Sequence, residues 1–259
     1  MMTLSLLNWN IMHGRNKRSA VWPPRVSREE VQDNVRNIAD CIRRYNPDVV
    51  TLQEVDEHSI LSGSFNQFEF LNVELRYPYT YFAPSCFARL FEKDIFVSGN
   101  AILSRFPLEH CELHRFDFSF PTERQGFVIA DALLPDGKRI AVASVHLVWL
   151  DWLRRDSRVR QVRQLGDVLA QRRGALVVAG DFNSCCTSPD QSLSTLLSKA
   201  DLVVYEREHK DLNTHPSWDP RQRIDWVLIS KDMHFVSHAT IPDRLSDHLA
   251  IFASLARYQ

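Results

Sequence analysis

The stretch Arg223-Ile224-Asp225-Trp226-Val227-Leu228, followed downstream by Ser246-Asp247-His248, completes a set of polar motifs spread along the chain. Asp225 enters a strongly apolar run that favours a buried strand. A buried carboxylate needs a polar partner, and an imidazole is a natural one. His248 could be that partner, in which case Asp225 would fix the tautomer of the ring and raise its basicity. The alternatives are a structural pair between Asp225 and Arg223, and a loop position for His248.

Further polar groups stand next to short apolar runs elsewhere in the chain. A strand would deliver each of these carboxylate, amide or imidazole groups to one rim of a sheet. The order of the blocks, more than any single one, supports this interpretation. The blocks are Asn8-Trp9-Asn10, Gln53-Glu54-Val55-Asp56, Gly99-Asn100-Ala101-Ile102-Leu103-Ser104-Arg105, Ser144-Val145-His146-Leu147 and Gly180-Asp181-Phe182-Asn183.

The oxygen donors in these blocks suit a hard divalent cation. Such an ion prefers oxygen ligands, takes few of them from protein and keeps water for the substrate phosphate. Glu54, Asp247 and the amide oxygen of Asn10 fit that preference, and the cysteine and histidine spacing of a zinc site is absent. We expect Glu54 where the buried strand Asp48–Gln53 ends, with a solvated loop residue as the alternative.

Asp181 and Asn183 are separated by one residue, so in an extended chain they point the same way while Phe182 points into the core. A carboxylate and an amide on one rim can orient a water molecule and donate to a developing phosphoryl oxyanion. A turn is the alternative, but it does not explain why an acid and an amide share one face. His146 ends the apolar strand Ile140–Val145, so it is also expected at the rim, unless it is a satisfied core histidine.

Together these blocks resemble the endonuclease/exonuclease/phosphatase superfamily, which has the DNase-I-like fold. The resemblance implies an α/β (α+β) protein, a four-layer sandwich of two mixed β-sheets flanked by helices, with one domain over residues 1–259. It implies a hydrolase of phosphate esters that depends on Mg²⁺ or Mn²⁺ and uses in-line attack by an activated water. A phosphodiesterase is the preferred interpretation. A nuclease acting on DNA or RNA, a sphingomyelinase- or inositol-phosphatase-like enzyme and a non-catalytic binding member are the alternatives.

The resemblance also implies roles for single residues. Asn10 and Glu54 would hold the metal with help from Asp247. The pair of Asp225 and His248 would activate water or stabilise the phosphoryl group in flight.

Other positions match residues that act on the nucleophile or the substrate. Asp181 and Asn183 would orient the nucleophile and bind the transition state, and His146 would contact the scissile phosphate. Asn100 lies in a block that helps to hold the site, and Arg124 resembles a basic residue that approaches phosphate.

Two differences from the abasic-site endonucleases narrow the class of enzyme that this chain resembles. Abasic-site endonucleases of the superfamily carry an acid two residues after the Asn10 position, where this chain has Met12, and they lack the block at Ser144–Leu147. An abasic-site repair role is therefore disfavoured. Sphingomyelinases, inositol-polyphosphate phosphatases, tyrosyl-DNA phosphodiesterases and DNase I itself remain similar.

Two loops near the expected rim combine basic and aromatic residues. Arg15–Arg28 surrounds Trp22 with basic residues, and Trp149 and Trp152 precede an arginine-rich predicted helix. These features could hold nucleic acid by phosphate contacts and stacking, or rest on a lipid surface. The solvated face of a helix explains most of the arginines and explains the tryptophans less well. We therefore predict Trp149 and Trp152 as substrate-binding residues.

The composition fits an enzyme with a large core: 259 residues, of which 44% are hydrophobic. A net charge of −1 means that any attraction to phosphate must be local. Five cysteines, an odd number without a CxxC pair, favour reduced thiols. We expect no secretory signal and no membrane span, hence a cytoplasmic protein, and a monomer without a stable protein partner.

Apolar runs and turn signals alternate as in a mixed α/β chain. The predicted helices are Arg28–Tyr45, Phe65–Leu75, Arg155–Gln171 and Gln191–Lys199. The predicted strands are Leu4–Ile11, Asp48–Gln53, Tyr79–Ala83, Asn100–Ser104, Gly126–Leu134, Arg139–His146, Ala175–Ala179, Ile224–Ile229 and Leu249–Ala256.

Overall fold

Two six-stranded β-sheets lie face to face, with helices on both outer faces. The structure, a computed structural model, describes residues 3–16, 27–90, 93–117, 125–149, 156–185, 188, 191–205 and 210–258. Trp22, Arg124 and Trp152 lie outside the described residues. The arrangement confirms the predicted four-layer sandwich of two mixed sheets.

The first sheet consists of β1 (Thr3–Asn10), β2 (Val49–Ser59), β3 (Tyr79–Leu90), β4 (Lys93–Ser104), β11 (Met233–Ile241) and β12 (Ala250–Arg257). Its strand order is β11-β12-β1-β2-β4-β3. β1 and β2 are parallel, whereas the other neighbours are antiparallel. The end of β1 and the Gln53–Glu54 segment of β2 therefore reach the same edge of the sheet.

The second sheet consists of β5 (Leu108–Arg115), β6 (Gly126–Leu133), β7 (Arg139–His146), β8 (Ala175–Asp181), β9 (Leu202–Val204) and β10 (Asp225–Ser230). Its strand order is β5-β6-β7-β8-β10-β9, and β7 and β8 form its parallel pair. Both parallel pairs end at the same rim of the sandwich. A contact between the two ends shows this: Asn10 of β1 donates to Asp181 of β8.

Four α-helices of the described residues pack on the outer faces: α1 (Arg28–Tyr45), α2 (Gln67–Leu75), α3 (Ser157–Leu169) and α4 (Ser192–Lys199). α1 begins with a capping box, in which Ser27 Oγ accepts from the Glu30 N–H and the Glu30 carboxylate accepts from the Ser27 N–H. One stripe of α1 is buried against the first sheet, as the 3.6-residue period predicts. The stripe contains Val31, Val35, Ile38, Ala39 and Ile42.

A layer of buried polar contacts joins the two sheets beneath the rim. Gln53 Nε2 donates to Asn8 Oδ1 at 3.0 Å and to Ser144 Oγ at 2.9 Å. Ser144 Oγ in turn donates to the Leu52 carbonyl at 3.0 Å. Because these groups have exchanged water for each other, sliding one sheet past the other would leave them unpaired, which is costly. The layer therefore fixes how the two halves of the rim meet.

Several strands differ from the predictions. β2 continues to Ser59 instead of ending before Glu54, and β3 continues to Leu90. β5, β9 and β11 were not predicted. β5 lacks a clean apolar alternation, β9 has three residues, and β11 contains a bulge between Phe235 and Ser237 that breaks the two-residue period.

Candidate active site

Strand register brings three of the predicted residues side by side. In the second sheet, His146 at the end of β7 pairs with Asp181 at the end of β8, and Asp181 pairs with Asp225 at the start of β10. In the first sheet, Asn10 ends β1 opposite Gln53 of β2. The predicted gathering of polar groups at one rim is therefore a direct result of strand pairing.

Asp181 lies at the centre of this rim and is almost fully buried. Its Oδ2 accepts from Asn10 Nδ2 at 3.0 Å, and its Oδ1 accepts from the Asn183 N–H at 2.8 Å. The Nε2 atoms of His146 and His248 each lie 3.7 Å from Oδ2. Burial raises the pKa of Asp181 to about 6, with Asp225 adding to the rise and His248 opposing it.

Asp225 and His248 form the predicted pair. His248 Nδ1 lies 2.8 Å from Asp225 Oδ2, and the same oxygen accepts from Thr214 Oγ1 at 2.5 Å. Trp9 Nε1 donates to the His248 carbonyl at 2.9 Å, which ties the loop to β1. Burial alone would lower the pKa of His248, but the carboxylates around it, above all Asp225, raise it well above 6.5. The carboxylates therefore favour the protonated form of the ring, whose Nε2 faces the centre of the rim.

Glu54 reaches the rim by a different route from the one predicted. It lies inside β2, where the register with β4 shifts between Leu52 and Val55, and its φ is +53°. The prediction that the strand ends before Glu54 was wrong, because a bulge turns the side chain to the rim and the strand continues.

The Glu54 carboxylate is held by three neighbours. Asn10 Nδ2 donates to Oε1 at 3.1 Å, His13 Nε2 lies 3.1 Å from Oε2, and His146 Nε2 lies 3.7 Å from Oε1. Burial would raise the pKa of Glu54, but His13 and His146 bring it down to about 2. Glu54 is therefore an anion at neutral pH.

The sequence interpretation gave His13 no role. Its Nδ1 lies 2.7 Å from Asp56 Oδ1, and Ser62 Oγ donates to Asp56 Oδ2 at 2.6 Å. Burial acts to lower the pKa of His13, yet the Asp56 and Glu54 carboxylates raise it to about 9. The one signal in the sequence was its place just after β1 and beside Gly14, which is weak on its own.

Asn183 does not have the extended geometry that was expected. Its φ is +47°, its N–H closes a turn on Asp181, and its Nδ2 donates to the Leu147 carbonyl at 2.9 Å. Phe182 is buried, as expected. The alternative interpretation as a turn therefore describes the backbone, and the amide of Asn183 ties β8 to the segment after β7.

The predicted substrate-binding residues lie in different settings. Asn100 is buried, and its Nδ2 donates to the Gly126 carbonyl at 2.8 Å and to the Ser144 carbonyl at 3.3 Å, which links β4 to the second sheet. It also lines a small polar pocket with His13, Glu54 and His146. Trp149 is 61% exposed. Arg124 and Trp152 lie outside the described residues.

The predicted metal ligands Asn10, Glu54 and Asp247 do not all lie in one cluster. Asp247 lies with His215 and His248, whose ligand atoms are all within 4.8 Å of one another. A second set with the same spread consists of Asp181, Asp225 and His248. Among the described residues, Glu54 belongs to neither set and lies with Asn10 and His13 instead.

Comparison with known proteins identifies the family. The model of the endonuclease/exonuclease/phosphatase family matches residues 7–248. The chain belongs to this family. The match covers all of the rim residues described above, and membership supports a hydrolase of the phosphoesterase or nuclease type.

Individual relatives in the family are distant. The uncharacterized protein YbhP of Escherichia coli K12 is 26% identical over 231 residues, 85% of each chain. An endonuclease/exonuclease/phosphatase from Beutenbergia cavernae has a TM-score of 0.79 at 23% identity, covering 99% of this chain and 72% of that one. The human Nocturnin catalytic domain with bound sulfate has a TM-score of 0.73 at 20% identity, covering 99% and 94%. The two structures show that the fold is shared.

In the part of the chain that the structure describes, we find no helix long and apolar enough to cross a membrane.

Proposed function

We propose that this family member is a divalent-metal-dependent phosphodiesterase that hydrolyses its substrate by in-line attack of water. One observation supports this most strongly: the buried carboxylate of Asp181 faces the Nε2 atoms of His146 and His248, each 3.7 Å away. Because 3.7 Å is longer than a direct hydrogen bond, both nitrogens remain available to other oxygen atoms. A water and a phosphate group supply such oxygens.

Asp181 is the base in this proposal. The oxygen of a water molecule attacks phosphorus, and Asp181 accepts one proton of that water. Its pKa of about 6, raised by burial, makes it a stronger base than an ordinary aspartate while leaving it ionised at neutral pH. The bond from phosphorus to the leaving oxygen breaks with its electron pair on that oxygen, which takes a proton from solvent.

The two imidazoles act on the phosphoryl oxygens. His248 is held by Asp225 and donates from Nε2, and its positive charge stabilises the negative charge that develops in the transition state. His146 approaches from the other side of Asp181, between that carboxylate and Glu54. Both rings are almost fully buried, so little water competes for their N–H groups.

The residues present fit a divalent cation, because Glu54 is an anion beside the Asn10 amide, which also donates to the Asp181 carboxylate. Glu54 and Asn10 would hold the ion, and Asp247, which lies beside His248, is the further predicted ligand. Asn10 Oδ1 accepts from the Met12 N–H at 3.0 Å, so the amide would have to rotate to offer its oxygen. When bound, the cation supplies charge neutralisation of the phosphate and of the leaving oxygen.

The test is hydrolysis of bis-p-nitrophenyl phosphate with Mg²⁺, with Mn²⁺ and with chelator. We expect turnover that needs the cation and that Asp181→Asn removes. Asp136→Asn, at the exposed turn between β6 and β7, serves as the matched control and should retain full turnover. A folded protein that binds the cation but turns over no phosphodiester, including DNA, RNA and sphingomyelin, would contradict the proposal and favour a binding role.

Substrate class follows from a second measurement on the same protein. The exposed Trp149 stands three residues after His146, where it could stack on a base or rest on a lipid surface. Binding of nucleic acid weakens steeply with salt because counterions are released. A steep salt dependence on DNA or RNA, absent for the small diester, would favour the nuclease. A flat one would favour a lipid or small phosphodiester.

A further inference from the structure

The half-buried His13 and the buried Asp56 form another imidazole–carboxylate pair, which the proposed reaction does not use. Asp56 is fully buried and bonds His13 Nδ1 at 2.7 Å through one oxygen and Ser62 Oγ at 2.6 Å through the other. The ring orientation is fixed further by an edge contact with Phe96, whose centroid lies 5.4 Å away. His13 Nε2 is thereby directed at Glu54 Oε2, 3.1 Å away.

That distance suits two ligands of one metal ion. In an octahedral site with bonds of about 2.1 Å, neighbouring ligand atoms lie about 3.0 Å apart. His13 Nε2 and Glu54 Oε2 already have this separation. A histidine that ligates a metal generally has its other nitrogen bonded to a carboxylate or carbonyl, which orients the ring and raises its basicity. Asp56 supplies that bond.

The backbone at His13 is held in an unfavourable conformation. Met12 and His13 have φ values of +48° and +55°, which residues other than glycine rarely adopt. Gln67 fixes the turn, because its Oε1 accepts from the Asp56 N–H at 3.2 Å and its Nε2 donates to the His13 carbonyl at 2.7 Å. Asn34 Nδ2 also donates to the Gly14 carbonyl at 3.0 Å. Strain that several contacts maintain is characteristic of functional positions.

We propose that His13 coordinates, through Nε2, the same divalent cation as Glu54, with Asp56 orienting the ring. The cation takes the place of the proton between Nε2 and Glu54 Oε2, and that proton is released to solvent. The inference rests on the proposed metal-dependent function and names the kind of cation. Imidazole suits transition ions such as zinc and iron, whereas oxygen ligands suit magnesium and manganese. Manganese is itself a transition ion, so it accepts an imidazole nitrogen more readily than magnesium does. The site should therefore bind Mn²⁺ more tightly than Mg²⁺ by a margin that depends on His13.

The experiment is direct detection of the ligand in the Mn²⁺-loaded protein by pulsed electron paramagnetic resonance. We expect coupling from a histidine nitrogen in the wild type and in His146→Gln, and its loss in His13→Gln. Circular dichroism would establish that each variant is folded. Coupling that persists in His13→Gln, or that is absent from the wild type with Mn²⁺ bound, would overturn the assignment.

Affinities separate coordination from mere positioning of Glu54. If His13 is a ligand, His13→Gln should weaken Mn²⁺ binding at least tenfold and leave the Kd for Mg²⁺ nearly unchanged. If it only positions Glu54, both affinities should fall together, which would overturn the proposal. A wild type that hydrolyses the diester with Mn²⁺ but shows equal Mg²⁺ and Mn²⁺ affinity contradicts this proposal alone. A wild type that binds neither ion contradicts the proposed function as well.

Discussion

The two imidazole–carboxylate pairs at the rim are built alike and end differently. In each pair a buried aspartate bonds Nδ1, at 2.7 Å for Asp56 with His13 and at 2.8 Å for Asp225 with His248. In each, a hydroxyl group bonds the same aspartate, from Ser62 or Thr214. His13 Nε2 lies 3.1 Å from a carboxylate, whereas His248 Nε2 lies 3.7 Å from one.

We infer that this difference in distance separates a histidine that binds metal from a histidine that acts in the reaction. At 3.1 Å, His13 Nε2 is in direct contact with Glu54 Oε2, so these two atoms are close enough to bind one ion. At 3.7 Å, His248 has no direct bond to Asp181, and both can turn to a water or a phosphate. In the proposed mechanism the same chemical unit therefore serves two purposes, which differ in the distance from Nε2 to the nearest carboxylate.

The largest effect should come from disrupting the Asp225–His248 pair. His248→Gln should lower kcat by about 10²–10⁴-fold, because it removes a charged donor to the transition state. A high Mn²⁺ concentration should not restore the kcat of His248→Gln. In His13→Gln, by contrast, saturating Mn²⁺ should restore most of the wild-type kcat. Steady-state kinetics across a Mn²⁺ series distinguish the two, and equal rescue of both variants would remove the division between binding and reaction.

The two pairs should also set the pH dependence of stability. The folded pKa of His13, about 9, is above the unfolded value of 6.5, so its stabilisation is fully present below pH 6.5 and is lost as the pH rises through 9. The raised pKa of His248 acts in the same direction. In chelator, the free energy of unfolding should fall between pH 6.5 and 9 by up to about 3 kcal/mol from His13. Urea unfolding of His13→Gln should show a shallower fall, and an unchanged slope would contradict the ion pair.

Asp56→Asn tests whether the His13–Asp56 pair affects the bound ion through the Asp56 carboxylate. It should weaken Mn²⁺ binding by about 10–100-fold, as loss of an orienting carboxylate does at other metal sites. The effect on kcat at saturating Mn²⁺ should be small. Isothermal titration calorimetry measures the affinity, and Asp33→Asn on the exposed face of α1 is the control. Unaltered affinity would exclude Asp56 from the metal site.

The smallest effects should come from the hydroxyl groups behind the aspartates. Thr214→Val and Ser62→Ala each remove one hydrogen bond, about 0.5–1.5 kcal/mol in ordinary cases. Thr214→Val should lower kcat by up to about tenfold, while Ser62→Ala should change the apparent Mn²⁺ affinity by a similar factor. Parallel kinetic and binding titrations compare them, and a reversal of the two patterns would contradict the account.

Much of the site could be predicted because it lies on regular strands. Strand pairing places His146, Asp181 and Asp225 in one row, and each stands at the end of an apolar run that the sequence displays. The pairing of Asp225 with His248 followed from the cost of burying a carboxylate alone. These inferences need only the strand period and the position of strand ends.

The rest depends on backbone conformations that a pattern does not reveal. Glu54 turns to the rim at a bulge, Asn183 closes a left-handed turn, and His13 lies in a left-handed turn stabilised by Gln67. Gln67 and Asp56 reach His13 from elements distant in sequence, so no local spacing predicts the contact. The sequence did not predict β5 and β11 for a related reason. Weak alternation in β5 and a bulge in β11 hide the two-residue period of a strand.

The most direct test of the central claim is hydrolysis of bis-p-nitrophenyl phosphate in ¹⁸O-labelled water, analysed by mass spectrometry. Attack of water at phosphorus predicts one ¹⁸O in the phosphate product and none in the phenol, in a reaction that needs a divalent cation and that Asp181→Asn abolishes. Label in the phenol, or labelled phosphate formed equally well with chelator or by Asp181→Asn, would contradict it.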